Sequence, residues 1–208
     1  MVPAGSTAAL AVRSAQPTES ELSLHDAAAT GDIRRLRALL EAGVSADAPD
    51  GDHRTALMTA GGHGRIEAML ELVRAGAALD ARDVGKRRWT ALMYALHADR
   101  SAAARALLDW GADARACDDV GYSALMMAAG RGDVELVREL LARGADPSKR
   151  MFLGLTALDY AIGYGHADVA RRLLEAAPDL RDRNGPARRA VLALADRAGN
   201  HELLRLLR

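Results

Sequence analysis

Between Val120 and Pro147 the apolar positions fall into two short helical stripes separated by glycine. Ser123 can cap the first helix, whose apolar residues are Leu125, Met126, Ala128 and Ala129, with Gly130 and Gly132 marking its end. The second carries Val134, Leu136, Val137, Leu140 and Leu141 at helical spacing, with Glu135, Arg138, Glu139 and Arg143 largely on the other side. Gly144 supplies the exit turn, and Ala145-Asp146-Pro147 cannot continue a helix. The predicted unit is helix, tight turn, helix, loop.

The pattern recurs. The leucine after the capping position returns as Leu24, Leu57, Leu92, Leu125, Leu158 and Leu192, at spacings of 33, 35, 33, 33 and 34 residues. A helix pair at this period resembles the ankyrin repeat, whose T-P-L-H-x-A signature is matched by Thr55-Ala56-Leu57-Met58, Thr90-Ala91-Leu92-Met93, Ser123-Ala124-Leu125-Met126 and Thr156-Ala157-Leu158-Asp159. Its G-A-D landmark is matched by Gly76-Ala77, Gly111-Ala112-Asp113 and Gly144-Ala145-Asp146, and loosely by Gly43-Val44. The resemblance implies an all-α solenoid of stacked helix-turn-helix units with β-turn fingers, in about six repeats: 21–48, 49–81, 82–116, 117–149, 150–182 and 183–208. There are departures. Alanine replaces the family's proline in four repeats, and Met58, Met93 and Met126 replace its histidine, so a flexible apolar filler stands where a hydrogen bond is usual. Only His25 keeps the histidine, and it reads as a buried structural hydrogen-bonder.

Residues 1–20, rich in Ala, Ser, Pro and Thr and outside the register, read as a flexible tail and make a poor signal peptide, since the run Ala8 to Val12 is short and ends at Arg13. In the second repeat Gly61-Gly62 should weaken the inner helix, a cost explained either by close approach of a partner or simply by drift. The third repeat has two extra finger residues and Asp99 at the inter-helix turn, where the others have glycine. The fifth has an apolar finger, Met151-Phe152-Leu153-Gly154-Leu155, and an irregular exit at Ala176-Ala177-Pro178. The first and sixth repeats read as caps, the sixth with outer-helix residues Leu203, Leu204, Leu206 and Leu207.

Composition narrows the function. Half of the residues are hydrophobic but only 3% are aromatic, so stacked helices must pack mostly through Ala, Leu and Val. Basic and acidic residues both total 28, and a net charge of zero argues against general attraction to nucleic acid or an anionic membrane. No stretch approaches the roughly 18 apolar residues of a membrane helix. Lysine occurs only at Lys86 and Lys149; with abundant Ala and Arg this suggests a GC-rich bacterial genome. The lone Cys117 excludes an internal disulfide and a multi-cysteine zinc site, and nearby Asp118-Asp119 disfavours a reactive thiolate. The expected compartment is the cytoplasm, with the periplasm and export left open.

In the ankyrin family, partners usually meet the concave face formed by the fingers and the inner helices. The register places Arg54, Trp89, Tyr122 and Leu155 just before the capping residues, Arg87, Arg88, Phe152 and Leu153 in the fingers, and His63, His97, Arg131 and Tyr164 on the inner helices. Four of the seven aromatic residues, Trp89, Tyr122, Phe152 and Tyr164, are in this set. Stacking does not require rings there, and aromatics with Arg are common interface anchors, so the pattern predicts an exposed partner-binding stripe. The alternative is that the fingers pack together and partly bury the rings. Tyr94 and Tyr160 are expected in the core, and Trp110, near an outer-helix end, is either an exposed anchor on a second face or a ring lying over its neighbour, with packing favoured.

Lys86-Arg87-Arg88 beside Trp89 suits phosphate contacts with ring stacking, or equally an acidic partner segment, but three charges in a neutral chain rank nucleic acid low. The histidines lack a ligand set for a metal, although His63 and His97 could be neighbours across the concave face. There is no phosphate loop, nucleophile elbow or HExxH, and no enzyme activity or cofactor is expected. The sequence therefore reads as a non-catalytic scaffold that binds another protein, itself a monomer or weakly self-associating. The alternatives are a regulatory or inhibitory subunit of an enzyme encoded elsewhere and an exported effector module.

Overall fold

A computed structural model describes residues 18–84, 87–180, 186–197 and 199–206. Twelve α-helices are present among them, in consecutive pairs: α1 (Glu19–Thr30) with α2 (Ile33–Glu41), α3 (Ala56–His63) with α4 (Ile66–Arg74), and α5 (Ala91–His97) with α6 (Ser101–Asp109). The series continues with α7 (Ala124–Arg131) and α8 (Val134–Ala142), α9 (Ala157–Gly163) and α10 (Ala167–Ala176), then α11 (Pro186–Arg197) and α12 (His201–Leu206). The odd-numbered helices pack on one another as an inner layer, and each even-numbered helix packs outside its partner.

Local signals set the helix boundaries. The Ser123 hydroxyl accepts from the Met126 N–H at 3.2 Å and caps α7, and Thr55 and Thr90 do the same for α3 and α5. Gly132, at φ 77°, ends α7; Gly130 lies inside that helix, not at its end as the pattern suggested. A Cβ at Gly130 would touch the Tyr164 ring at 3.5 Å, so the glycine makes room for a ring from the next repeat. Asp99 occupies the equivalent turn of its own repeat at φ 58°, performing the role glycine has elsewhere. The Ala176-Ala177-Pro178 exit departs from the others as expected, passing into a short 3-10 turn, Pro178–Leu180.

The inner helix of the first pair starts earlier than the repeat register implies. Thr18 and Glu21 form a reciprocal capping box, Thr18 N to Glu21 Oε2 at 2.6 Å and Glu21 N to Thr18 Oγ1 at 3.2 Å, which adds a turn before Leu24. The expected tail otherwise lies outside the described residues, as do Leu207 and the side chain of Leu203.

The core is a continuous column of small and medium side chains, with Leu24, Leu57, Leu92, Leu125 and Leu158 fully or almost fully buried. Met58, Met93 and Met126 are buried with them, and His25 spans the first interface, donating from Nε2 to the Ala48 carbonyl at 2.9 Å. Gly61 lets two inner helices approach: a Cβ there would stand 3.2 Å from the Ala91 carbonyl oxygen, so the close neighbour is the next repeat. Polar ties repeat along the stack, with Arg65 reaching the Ala29 carbonyl and His166 the Gly130 carbonyl, each at the C-terminal end of the preceding inner helix.

Candidate functional site

Each finger is a tight turn built on its first residue. Asp50 and Asp118 are buried, and each accepts from two backbone N–H groups of its own loop: Asp52 and Arg54 for the first, Val120 and Tyr122 for the second. Asp83 does similar work in the enlarged third finger, accepting from Trp89 N at 3.1 Å. In the fifth finger Met151 takes the aspartate's place, and the chain is held instead by Phe152 N donating to the Val120 carbonyl of the preceding finger at 2.7 Å.

The fingers and inner helices enclose two adjoining grooves on the concave side. The first, about 570 Å³, is lined by Asp52, Arg54, Arg87, Trp89, Tyr94 and His97 among others. The second, about 540 Å³, is lined by Asp118, Tyr122, Met151, Tyr160 and Tyr164, and shares Arg87 and His97 with the first.

The set expected from the register is thus only partly exposed. Trp89 is a correction: it is 6% exposed, its indole Nε1–H donates to Asp118 Oδ2 at 3.4 Å, and its ring packs edge-on to Tyr94 at 5.5 Å. The carboxylate that holds it comes from the next finger, which no local pattern reveals. Tyr122 is half-buried, tilted against Tyr160 at 5.1 Å. Burial beside Tyr160 and Tyr164 pushes its hydroxyl up to about 12. Phe152 is 86% exposed and Tyr164 66%, with Leu153 exposed and Leu155 half-buried.

The cations divide as well. Arg54 is half-buried and tied to Asp50 at 2.8 Å and Asp52 at 3.3 Å. These contacts hold the Asp50 carboxyl below its ordinary range although burial opposes them. Of the basic triplet, Lys86 lies outside the described residues, Arg88 stands 3.7 Å from Asp119, and Arg87 lies over the Trp89 ring at 5.2 Å from its centroid. His97 packs on the other side of the groove junction, 4.8 Å from Trp89, and Arg131 donates to the His97 carbonyl. Partial burial and the charges of Arg131 and Arg87 lower the His97 pKa. His63 donates instead to the Thr59 carbonyl of its own helix at 2.9 Å. No group of three or more His, Cys, Asp or Glu side chains among the described residues could hold a metal ion.

Two residues expected in the core belong to the site. Tyr94 and Tyr160 are half-buried groove walls: Tyr94 donates to Asp83 Oδ2 at 2.6 Å, and Tyr160 donates to the Met151 sulfur at 3.2 Å. Burial and the Asp83 hydrogen bond push the Tyr94 hydroxyl far above its usual range. Tyr94 follows Met93 and Tyr160 follows Asp159 on the inner helices, and each ring lines a groove beside the finger. Trp110 is half-buried against the core near the end of α6, as expected, and Cys117 is half-buried.

No helix among the described residues is long and apolar enough to cross a membrane. No curated protein matches the chain. A family model described as ankyrin repeats, three copies, matches residues 24–118 and 110–184, well over half of the 208 residues. With paired helices stacked in two layers and turn-built fingers along one side, the chain belongs to the ankyrin-repeat family.

Proposed function

We propose that the protein is a non-catalytic binding module that holds a partner protein in its two concave grooves. Ankyrin repeats serve generally as protein interaction modules, and the family is typically non-catalytic. The observation that carries the reading is the placement of the rings: six of the seven aromatic residues in the chain line these grooves or project from the adjoining finger as Phe152. Asp83, Asp118 and Met151 accept hydrogen bonds from Tyr94, Trp89 and Tyr160 and fix these rings in place. A surface ordered before binding loses little side-chain entropy on association.

The test is a pulldown from the native cell with wild type and a Phe152→Ala, Tyr164→Ala double variant as baits. Both positions are exposed, so the variant should keep the wild-type circular dichroism spectrum and melting temperature. A partner retained by wild type and lost from the variant is the expected result. A partner held equally by both would move the interface off the concave face.

A further inference from the structure

Arg87 and His97 stand where the two grooves meet, and Arg131 bonds the His97 backbone beside them. The carboxylates around this junction are already engaged. Asp83 accepts from Tyr94 and Trp89, Asp118 from Trp89, Val120 and Tyr122, and Asp52 and Asp119 face Arg54 and Arg88. The cations are not engaged in the same way. Among the described residues, Arg87 has no carboxylate within ion-pair range and rests on an aromatic face, while Arg131 donates only to a backbone carbonyl. Both guanidiniums therefore keep unused donors in a fixed fork suited to a carboxylate.

The flanking walls have a different character. Beyond the junction, Tyr122, Tyr160, Tyr164 and Met151 form a ledge, with Tyr160 and Tyr164 nearly parallel at 6.5 Å and 19°. Such a ledge accepts an apolar or aromatic side chain. Two grooves in line suit a segment laid along them better than a compact group placed in one pit.

Resting on the concave-face reading above, we propose that the partner presents an extended acidic segment, with an Asp or Glu carboxylate against Arg87 and Arg131 beside His97 and a neighbouring apolar side chain on the Tyr122, Tyr160 and Tyr164 ledge. Burial, with the charges of Arg131 and Arg87 added to it, lowers the His97 pKa, and an incoming carboxylate relieves the charge part of that shift. A polynucleotide is disfavoured because, among the described residues at this junction, only Arg87 and Arg131 lack a carboxylate partner, and the chain as a whole is neutral.

The test pans the intact protein against a phage-displayed library of random peptides about a dozen residues long, then measures the enriched peptides by fluorescence anisotropy at physiological salt. Enriched sequences should share an acidic residue next to an aromatic or leucine. Their affinity should fall by about tenfold or more in an Arg87→Gln, Arg131→Gln variant, as expected for loss of charge-assisted hydrogen bonds. Arg34→Gln on the outer helix α2 should leave it unchanged. Peptides that ignore the arginine pair but are lost from the Phe152→Ala, Tyr164→Ala variant would sink the acidic segment and keep the concave-face reading. Peptides insensitive to both variants, or no enrichment at all, would remove both. Tighter binding of a single-stranded oligonucleotide through the same arginines would overturn the proposal in favour of phosphate. Self-association abolished by the arginine variant would assign the groove to a second copy and overturn a separate partner.

Discussion

A Cβ on Gly61 would stand 3.2 Å from the Ala91 carbonyl oxygen, whereas one on Gly62 would meet nothing closer than the Tyr94 Cβ at 3.9 Å. Both glycines weaken α3 by the same backbone entropy, so only their surroundings distinguish them. Gly62→Ala is expected to stabilise the protein by about 0.5–1 kcal/mol, and Gly61→Ala to lose that gain to crowding between inner helices, as urea unfolding of the two variants would measure. Trp89 gives the opposite lesson. Read locally it is an exposed anchor; held by Asp118 from the next finger it is a core residue, and Trp89→Ala should cost about 3–5 kcal/mol in the same assay. A cost below about 1 kcal/mol would contradict that placement. Gly61 and Trp89 escape a local reading for one reason: what touches each of them lies about a repeat away in the chain.

At the scale of the element, the local code was sufficient. Capping hydroxyls at Thr55, Thr90 and Ser123 and positive-φ glycines at Gly31, Gly64, Gly132 and Gly165 mark helix ends that depend on a few adjacent residues. Asp99 adopts that conformation with a side chain attached, at φ 58°. Asp99→Gly should therefore raise stability by a few tenths up to about 1 kcal/mol, and Ser123→Ala should lower it by about 1 kcal/mol, both read from denaturation midpoints at unchanged slope. The capping box that lengthens α1 is equally local, Thr18 with Glu21, but it stands upstream of the position at which the repeat register puts a cap.

For the whole molecule, a core that grows in one dimension has no centre, and each helix pair rests on its neighbours alone. Native-state hydrogen exchange should be slowest in α5 to α8 and faster toward both ends; uniform protection would indicate a single cooperative unit in place of a stack. Stability should also fall in alkali. The unfolded Tyr122 titrates near its ordinary 10.0 and the folded one near about 12, so the fold binds this proton more tightly. Its contribution is complete below pH 10 and is lost as pH rises toward about 12, which thermal melts across that window would record. Tyr94 and Tyr160, also shifted upward, act in the same direction.

The sequence by itself determined the helix pairs, their order, the buried leucine column and the family, because turns and caps are local and a repeated motif states the same local instruction several times. It also placed Phe152 and Tyr164 on the surface, but by the same register it placed Trp89 there, which packing against the next finger buries. Only the tertiary structure decided which rings close into groove walls and which cations remain uncommitted. Those outcomes depend on contacts between adjacent repeats, such as Trp89 with Asp118 and Tyr122 with Tyr160, where side chains far apart in the chain compete for the same few ångströms.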